Sequence, residues 1–169
     1  MSSVEIELNP VDFVTVGTIG PKGKRVFHLQ AGKGKQLVSL VIEKEQAWAL
    51  SDAIKELMED LDNRFPHQQT ELDLSTIDME LREPIEPVFR VAQMALGYDE
   101  ERDLVVLVAQ ELVVTDPERA EKPQPTNPGV VRMWCSRPQM RALSLHAMSA
   151  VQAGRADPKQ NGRLVYYWL

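Results

Sequence analysis

The sequence predicts an α+β fold: a mainly antiparallel sheet covered by two helices, built as two hairpin–strand–helix units, with curling toward a barrel left open. Three observations carry this. Leu37–Ile42 is apolar on both pleat faces except at Ser39, as a strand covered on both sides must be. The next stretch changes period: Ala47, Leu50, Ile54, Leu57, Met58 and Leu61 recur at helical spacing, while Lys44, Glu45, Asp52, Lys55, Glu56 and Glu59 lie mostly off that stripe. Burying each large side chain of the stripe is worth roughly 1.5–3 kcal/mol, which a helix gains only by covering something. Third, the element recurs at an offset of 93 residues. Val38, Leu40 and Ile42 then meet Val131, Met133 and Cys135, and Gln46, Ala49, Leu50 and Ser51 meet Gln139, Ala142, Leu143 and Ser144. All strand-to-helix junctions have similar needs, so duplication and coincidence both stay open. The units suggested are 12–62 and 88–154, within one domain spanning 1–169.

In order, Val4–Leu8 alternates and suits a short edge strand before the Asn9-Pro10 turn. Phe13–Ile19 and Arg25–Gln30 read as a hairpin around Gly20–Gly23, and Ala31–Lys35 as the loop into the central strand. Both loops are basic (Lys22, Lys24, Arg25, then Lys33, Lys35), which invites a phosphate-cradle reading. The strand between them spans about six residues at ~3.3 Å each, so they fall at opposite ends of the sheet. Neither carries a phosphate-loop pattern, and they read as solvated turns.

After the first helix, Pro66, Pro84 and Pro87 punctuate a long connection. Within it Glu71–Leu74 and Ile77–Leu81 alternate acid and apolar, which suits an edge strand or a covering loop. Glu71, Asp73, Asp78, Glu80, Glu83 and Glu86 lack the spacing of a hard-cation loop and read as a solvated acidic face. Val88–Leu96 and Leu104–Val113 form the second hairpin around Gly97–Asp103, with Leu104–Ala109 central. The proline-rich run 115–129 reads as a mobile excursion, followed by strand Val130–Cys135. Ser136-Arg-Pro-Gln139 is a capping box, Met140, Leu143, Ala147, Met148 and Val151 supply the second stripe, and Gly154, backed by Pro158, is the stop. The apolar and aromatic Arg163–Leu169 is expected to dock on an open sheet edge, in this chain or in a partner.

Composition narrows the class. With 169 residues, 43% hydrophobic and 26% charged, the chain is long enough for a real core and ordinary for a soluble globule. A net charge of −6 disfavours nucleic acid and anionic membranes. A single cysteine excludes an intrachain disulfide framework and fits a reducing compartment. No 18-residue apolar run occurs and Met1–Pro10 is too polar for a signal peptide, so a cytoplasmic location is expected.

No nucleophile–base pair or zinc spacing appears, so no catalytic residue, cofactor or metal is expected and the reading leans away from an enzyme. Cys135 precedes a helix N-terminus, which can activate a thiol, but His146 lies three turns away and a buried, inert cysteine is the simpler account. His67 has no recognisable partner. The residues singled out as a ligand set are Arg90, Arg132, His28 and Gln30, polar groups among apolar strand neighbours. Arg90 is placed on a face with Val88, Ala92, Met94 and Leu96. On one shared face the four residues suit a small acidic ligand; on a solvated sheet surface they are snorkelling side chains. The leading expectation is a non-enzymatic interaction or regulatory module, with a protein partner or a second copy meeting a sheet edge or the C-terminal segment. The alternative is a binder of a small anionic ligand, or an unrecognised enzyme acting on one.

Val26-Phe-His-Leu-Gln-Ala31 and Val41-Ile-Glu-Lys-Glu-Gln46 resemble the first half of a bacterial family catalogued as domain of unknown function 3090. Glu86-Pro-Val-Phe-Arg-Val91, Met94-Ala-Leu-Gly-Tyr98 and Val131-Arg-Met-Trp134 resemble its second half, the likeness running from about Phe13 to Gly162. The resemblance implies a cytosolic bacterial protein and transfers no catalytic residue. Many members carry a cysteine-rich, zinc-knuckle-like tail after the second helix. Here 154–162 looks like that tail without its cysteines, so the metal role is not carried over.

Overall fold

A computed structural model describes residues 4–66, 74–113 and 127–153. The expectations for 115–126, His67, Glu71 and Asp73, and for everything from Gly154 onward, lie outside these residues. The elements are β1 (Glu5–Leu8), β2 (Phe13–Ile19), β3 (Val26–Lys33), β4 (Gln36–Ile42), α1 (Lys44–Arg64), a short 3-10 turn (Leu74–Thr76), β5 (Pro87–Asp99), β6 (Leu104–Glu111), β7 (Val130–Cys135) and α2 (Arg137–Ala153).

The doubly apolar segments take interior places. The sheet order is β1-β7-β6-β5-β4-β3-β2, so β4 lies between β3 and β5, and β6 between β5 and β7. Alternate residues of all seven strands join the stripes of both helices in one buried apolar cluster, from Leu8 through Leu29, Leu40 and Leu107 to Met133 and Leu143. These side chains face the helices; the intervening ones form the outer face of the sheet.

The sheet is mixed rather than mainly antiparallel. β4 pairs with β5 in parallel (Ser39 opposite Pro87, Val41 opposite Arg90), and β1 pairs with β7 in parallel (Ile6 opposite Val131, Leu8 opposite Met133). A parallel pair needs a long crossover, and α1 with its following connection supplies one between β4 and β5. Nor does the sheet close. β1 and β2 are its two edges, yet only Asn9–Asp12 separates them. Val11 N–H donates to Trp134 O of β7 (2.8 Å) and Asp12 N–H to Gly32 O of β3 (2.7 Å). The backbone thus steps across the gap without a β1–β2 ladder.

Two loops are shorter than their composition suggests. Ala31 and Gly32 are buried and continue β3 to Lys33, leaving a tight turn where Gly34 has φ +59°, a conformation glycine adopts without steric cost. β5 runs on through Gly97 to Asp99, so the second turn is only 100–103.

The helices begin alike. Gln46 Oε1 accepts the Glu43 N–H (2.7 Å), and Gln139 Oε1 accepts the Ser136 N–H (2.8 Å). Each carboxamide then reaches a backbone carbonyl of the other half: Gln46 Nε2 donates to Val91 O in β5 (3.1 Å), and Gln139 Nε2 donates to Val11 O between β1 and β2 (3.3 Å). Between the helices Ser51 Oγ donates to Ser144 O (2.6 Å) while Ser144 Oγ donates to Ser51 O (2.7 Å), a reciprocal buried pair separated by 93 residues.

Arg137, read from the sequence only as part of a cap, is 5% exposed and joins three elements. Its Nε donates to Asp103 Oδ1 (2.7 Å), and its Nη2 to Phe65 O (2.6 Å) and to Tyr98 Oη (3.0 Å). Tyr98 donates its hydroxyl to Asp103 Oδ1 (2.6 Å). Burial opposes the Arg137 charge, but Tyr98 and Asp103 outweigh it and hold the guanidinium above its ordinary pKa. Burial, then the Asp103 hydrogen bond, push the Tyr98 hydroxyl up. Arg137→Met is expected to lower stability by about 3 kcal/mol, because Asp103 and the Phe65 carbonyl lose their cation. Tyr98→Phe should cost about 1 kcal/mol. Urea unfolding of the two variants measures both; equal losses would contradict this account.

Candidate functional site

The outer face of β2, β3 and β4 carries a polar row, Thr15–Gln30–Ser39, in cross-strand register. All three side chains are buried, though they face away from the helices. What covers them is the connection after α1. Thr15 Oγ1 donates to Met79 O (2.6 Å). Gln30 Nε2 donates to Arg82 O (2.8 Å) and to Ser39 Oγ (3.0 Å), and Gln30 Oε1 accepts the Arg82 N–H (2.7 Å). The carboxamide presents an N–H and a C=O side by side and so pairs with the Arg82 peptide group as a neighbouring strand would, its second N–H going to Ser39. Leu81 sits over Gly17, where an added Cβ would come within 2.5 Å of its Cγ. The Arg82 guanidinium carbon stacks 3.6 Å from the Phe13 ring centroid. The alternation Ile77-Asp-Met-Glu-Leu81 therefore belongs to a strap across the sheet face, with Ile77, Met79 and Leu81 half-buried and Asp78 and Glu80 in solvent.

This places the predicted residues. Gln30 is the clamp of the strap. His28, 5% exposed, lies in the next row, Gly17–His28–Val41–Arg90, with its Nδ1 3.1 Å from Val26 O. Arg90 is at the end of that row and pairs with Glu43 Oε1 at 2.5 Å. Three of the four thus share one outer face. A bulge between Val91 and Gln93 alters the expected company of Arg90: beyond it Met94 and Leu96 turn to the helix side and pack on the core. Arg132 lies on the outer face of the other half, with Nη1 3.2 Å from Glu5 Oε1.

Arg90 also lines an open cleft of about 420 Å³ at the start of α1, with Arg25, Glu43, Lys44 and Glu45. The Arg25 Nε there is buried without a hydrogen-bond partner. A second, more apolar groove of about 340 Å³ runs between Ala49, Leu50 and Ala53 of α1 and Met94 and Leu96 of β5. Cys135 is fully buried, and burial pushes its thiol well up, so it supplies no nucleophile. Burial lowers the pKa of His146.

The outer face of the second half is built on the same scaffold. Gln46 and Gln139 bind equivalent carbonyls, Val91 O and Val11 O, so Thr15 corresponds to Ala95 and Gly17 to Gly97. The rows there read Ala95–Val108–Arg132 and Gly97–Val106–Trp134. Val106, Val108, Arg132 and Trp134 are half-buried, and among the described residues no segment hydrogen-bonds across them as the strap does across Gln30. Trp134 donates its Nε1–H to Glu7 Oε2 (3.2 Å), and the Arg102 guanidinium carbon lies 5.2 Å from its ring centroid. The sequence marked Arg132, and strand register sets Val106 and Val108 beside it and Trp134.

A model of one protein family matches residues 6–161. The chain belongs to DUF3090, a family of proteins of unknown function. No curated protein and no solved structure matches it. This DUF3090 chain is therefore read from its own geometry, in which one outer face is roofed and its counterpart is built of valine, tryptophan and arginine. Gln30→Leu keeps the volume of the clamp but strands the Arg82 peptide group. It should cost about 1–3 kcal/mol and speed proteolysis within 77–84, read by urea unfolding and by the sites of limited cleavage. Unchanged cleavage would remove the clamp role.

Proposed function

We propose that this DUF3090 chain is a non-enzymatic interaction module that acts in the cytoplasm, and that the outer face of β5, β6 and β7 holds an extended segment of a partner protein. The observation behind this is the contrast between the two faces. Thr15 and Gln30 bond the backbone of a strap through their side chains, and Ser39 Oγ accepts a second hydrogen bond from Gln30. Ala95, Val106, Val108 and Trp134 offer apolar contact and Arg132 a cation instead, and no segment hydrogen-bonds across them among the described residues. Such a face favours a strand-like segment with aliphatic or aromatic residues at alternate positions and a basic residue where it passes Glu5, which is 72% exposed. Among the described residues no helix is long and apolar enough to cross a membrane.

Selection of random peptides against the chain is expected to enrich that alternating pattern, and Val106→Glu should abolish binding while leaving the fold intact by circular dichroism. Enrichment equal for Val106→Glu and the unaltered chain would overturn the reading.

A second reading, a small anion in the cleft at the start of α1, rests on the unpartnered Arg25 Nε beside Lys44 and Arg90. Inorganic phosphate or nucleotides should then raise the unfolding temperature, and Arg25→Ala should abolish the shift. A shift of the same size in Arg25→Ala would end that reading.

A further inference from the structure

The two helix starts carry different charges at matching positions. Lys44 is the first residue of α1 and Arg137 the first of α2, each just past a strand that ends at Ile42 or Cys135. Phe27 lies opposite Ile42, and Val105 opposite Cys135. Two residues earlier in the chain, Arg25 therefore corresponds to Asp103. Thr18 and Tyr98, opposite Phe27 and Val105, correspond in the same way.

In the second half these positions satisfy one another. Arg137 Nε donates to Asp103 Oδ1 (2.7 Å), and its Nη2 to Tyr98 Oη (3.0 Å). In the first half the arginine has become Lys44, the phenol Thr18, and the carboxylate a second cation, Arg25. Arg25 and Lys44 are half-buried, and both line the cleft of about 420 Å³ at the start of α1. Neither forms an ion pair among the described residues, and Arg25 Nε is buried without a hydrogen-bond partner. Two partly dehydrated cations on one wall repel, and their N–H groups stay unsatisfied, until an anion joins them.

We propose that this cleft binds the carboxylate of a small organic acid, which takes the place that Asp103 takes in the second half. The proposal rests on the reading of the cleft as an anion site and names the anion. Charge argues for a monoanion. Arg90 is already paired with Glu43. Arg25 and Lys44 then face Glu45, leaving a single positive charge that a carboxylate neutralises and a phosphate dianion exceeds. Geometry agrees: a planar carboxylate accepts Nε–H and a terminal N–H of one guanidinium side by side, while an ammonium serves as a point charge. The cleft falls within the ~300–1,000 Å³ of small-molecule sites. Val26, Phe27 and Ile42 also line it and give the hydrocarbon part of the acid an apolar wall. Gly23 at its rim has open space where a Cβ would stand, so entry is not blocked on that side.

The probes are isovalerate and phenylacetate, with inorganic phosphate beside them at equal ionic strength. Both acids should raise the unfolding temperature of the full chain and move the Arg25 Nε–H resonance in a proton–nitrogen correlation spectrum. Lys44→Gln should weaken their binding roughly tenfold, the loss of one charge-assisted hydrogen bond. Arg25→Asp supplies from the chain itself the carboxylate that the second half already has. That variant should unfold at a higher temperature without ligand and no longer respond to either acid. A shift with phosphate and none with the acids would leave the anion reading standing and overturn this one. No response to any of the three would end both. Acid binding that persists in Arg25→Asp, or that leaves the Arg25 Nε–H resonance in place, would also overturn the proposal.

Discussion

The structure depends on an exchange of strands between its halves. β5 enters beside β4, and β1 lies beside β7, each in parallel with the last strand of the other half. Without these two joints there would be two three-stranded hairpin assemblies, each with a bare edge and a helix only partly covered. With them, seven strands form one sheet, and Leu8, Phe89 and Val91 enter the same buried cluster as Leu40 and Met133. The helices are held in register by contacts of the same kind on each side: the glutamines that cap a helix and reach a backbone carbonyl of the other half, and the serines that bind each other's carbonyls. Burial of the apolar faces supplies most of the driving force, and these few hydrogen bonds fix which arrangement it selects.

Much of the fold was legible because it is local. The doubly apolar runs Leu37–Ile42 and Leu104–Ala109 announce interior strands, and the switch of period at Ala47 announces a covering helix. The parallel joints were not legible, since Val4–Leu8 and Val88–Val91 look alike whether their neighbour runs with or against them. Nor was the bulge after Val91, which moves Met94 and Leu96 to the helix side. Pairing partners are set by crossovers and by competition among strands, and neither leaves a mark in a short window.

The candidate residues show the same division. Gln30 stood out as a polar side chain in an apolar strand, and its environment accounts for it fully: it holds the Arg82 peptide group. The strap announced itself by alternation, yet nothing in its residues names the strands it crosses. Arg137 was hidden for a different reason. It sits in a capping sequence where a surface role is the ordinary one, and only the folded chain brings Asp103, Tyr98 and the Phe65 carbonyl to it. Valines and a tryptophan on a strand carry no functional signature; Val106, Val108 and Trp134 gain meaning from their correspondence with His28, Gln30 and Val41.

The crossing at Asn9–Asp12 has a further consequence. An open sheet ordinarily presents two bare rims of amide and carbonyl groups, each a template for fibrillar growth. Here the backbone leaving one rim donates to β7 and then to β3, and the Gln139 side chain takes the Val11 carbonyl between them. The other rim, β2, packs beneath α2. The sheet thus has ends in its topology, yet the backbone that joins them turns its amides inward to β7 and β3, with Pro10 offering no N–H and Lys33 on the Asn9 carbonyl, so that corner leaves little for a stray strand to extend.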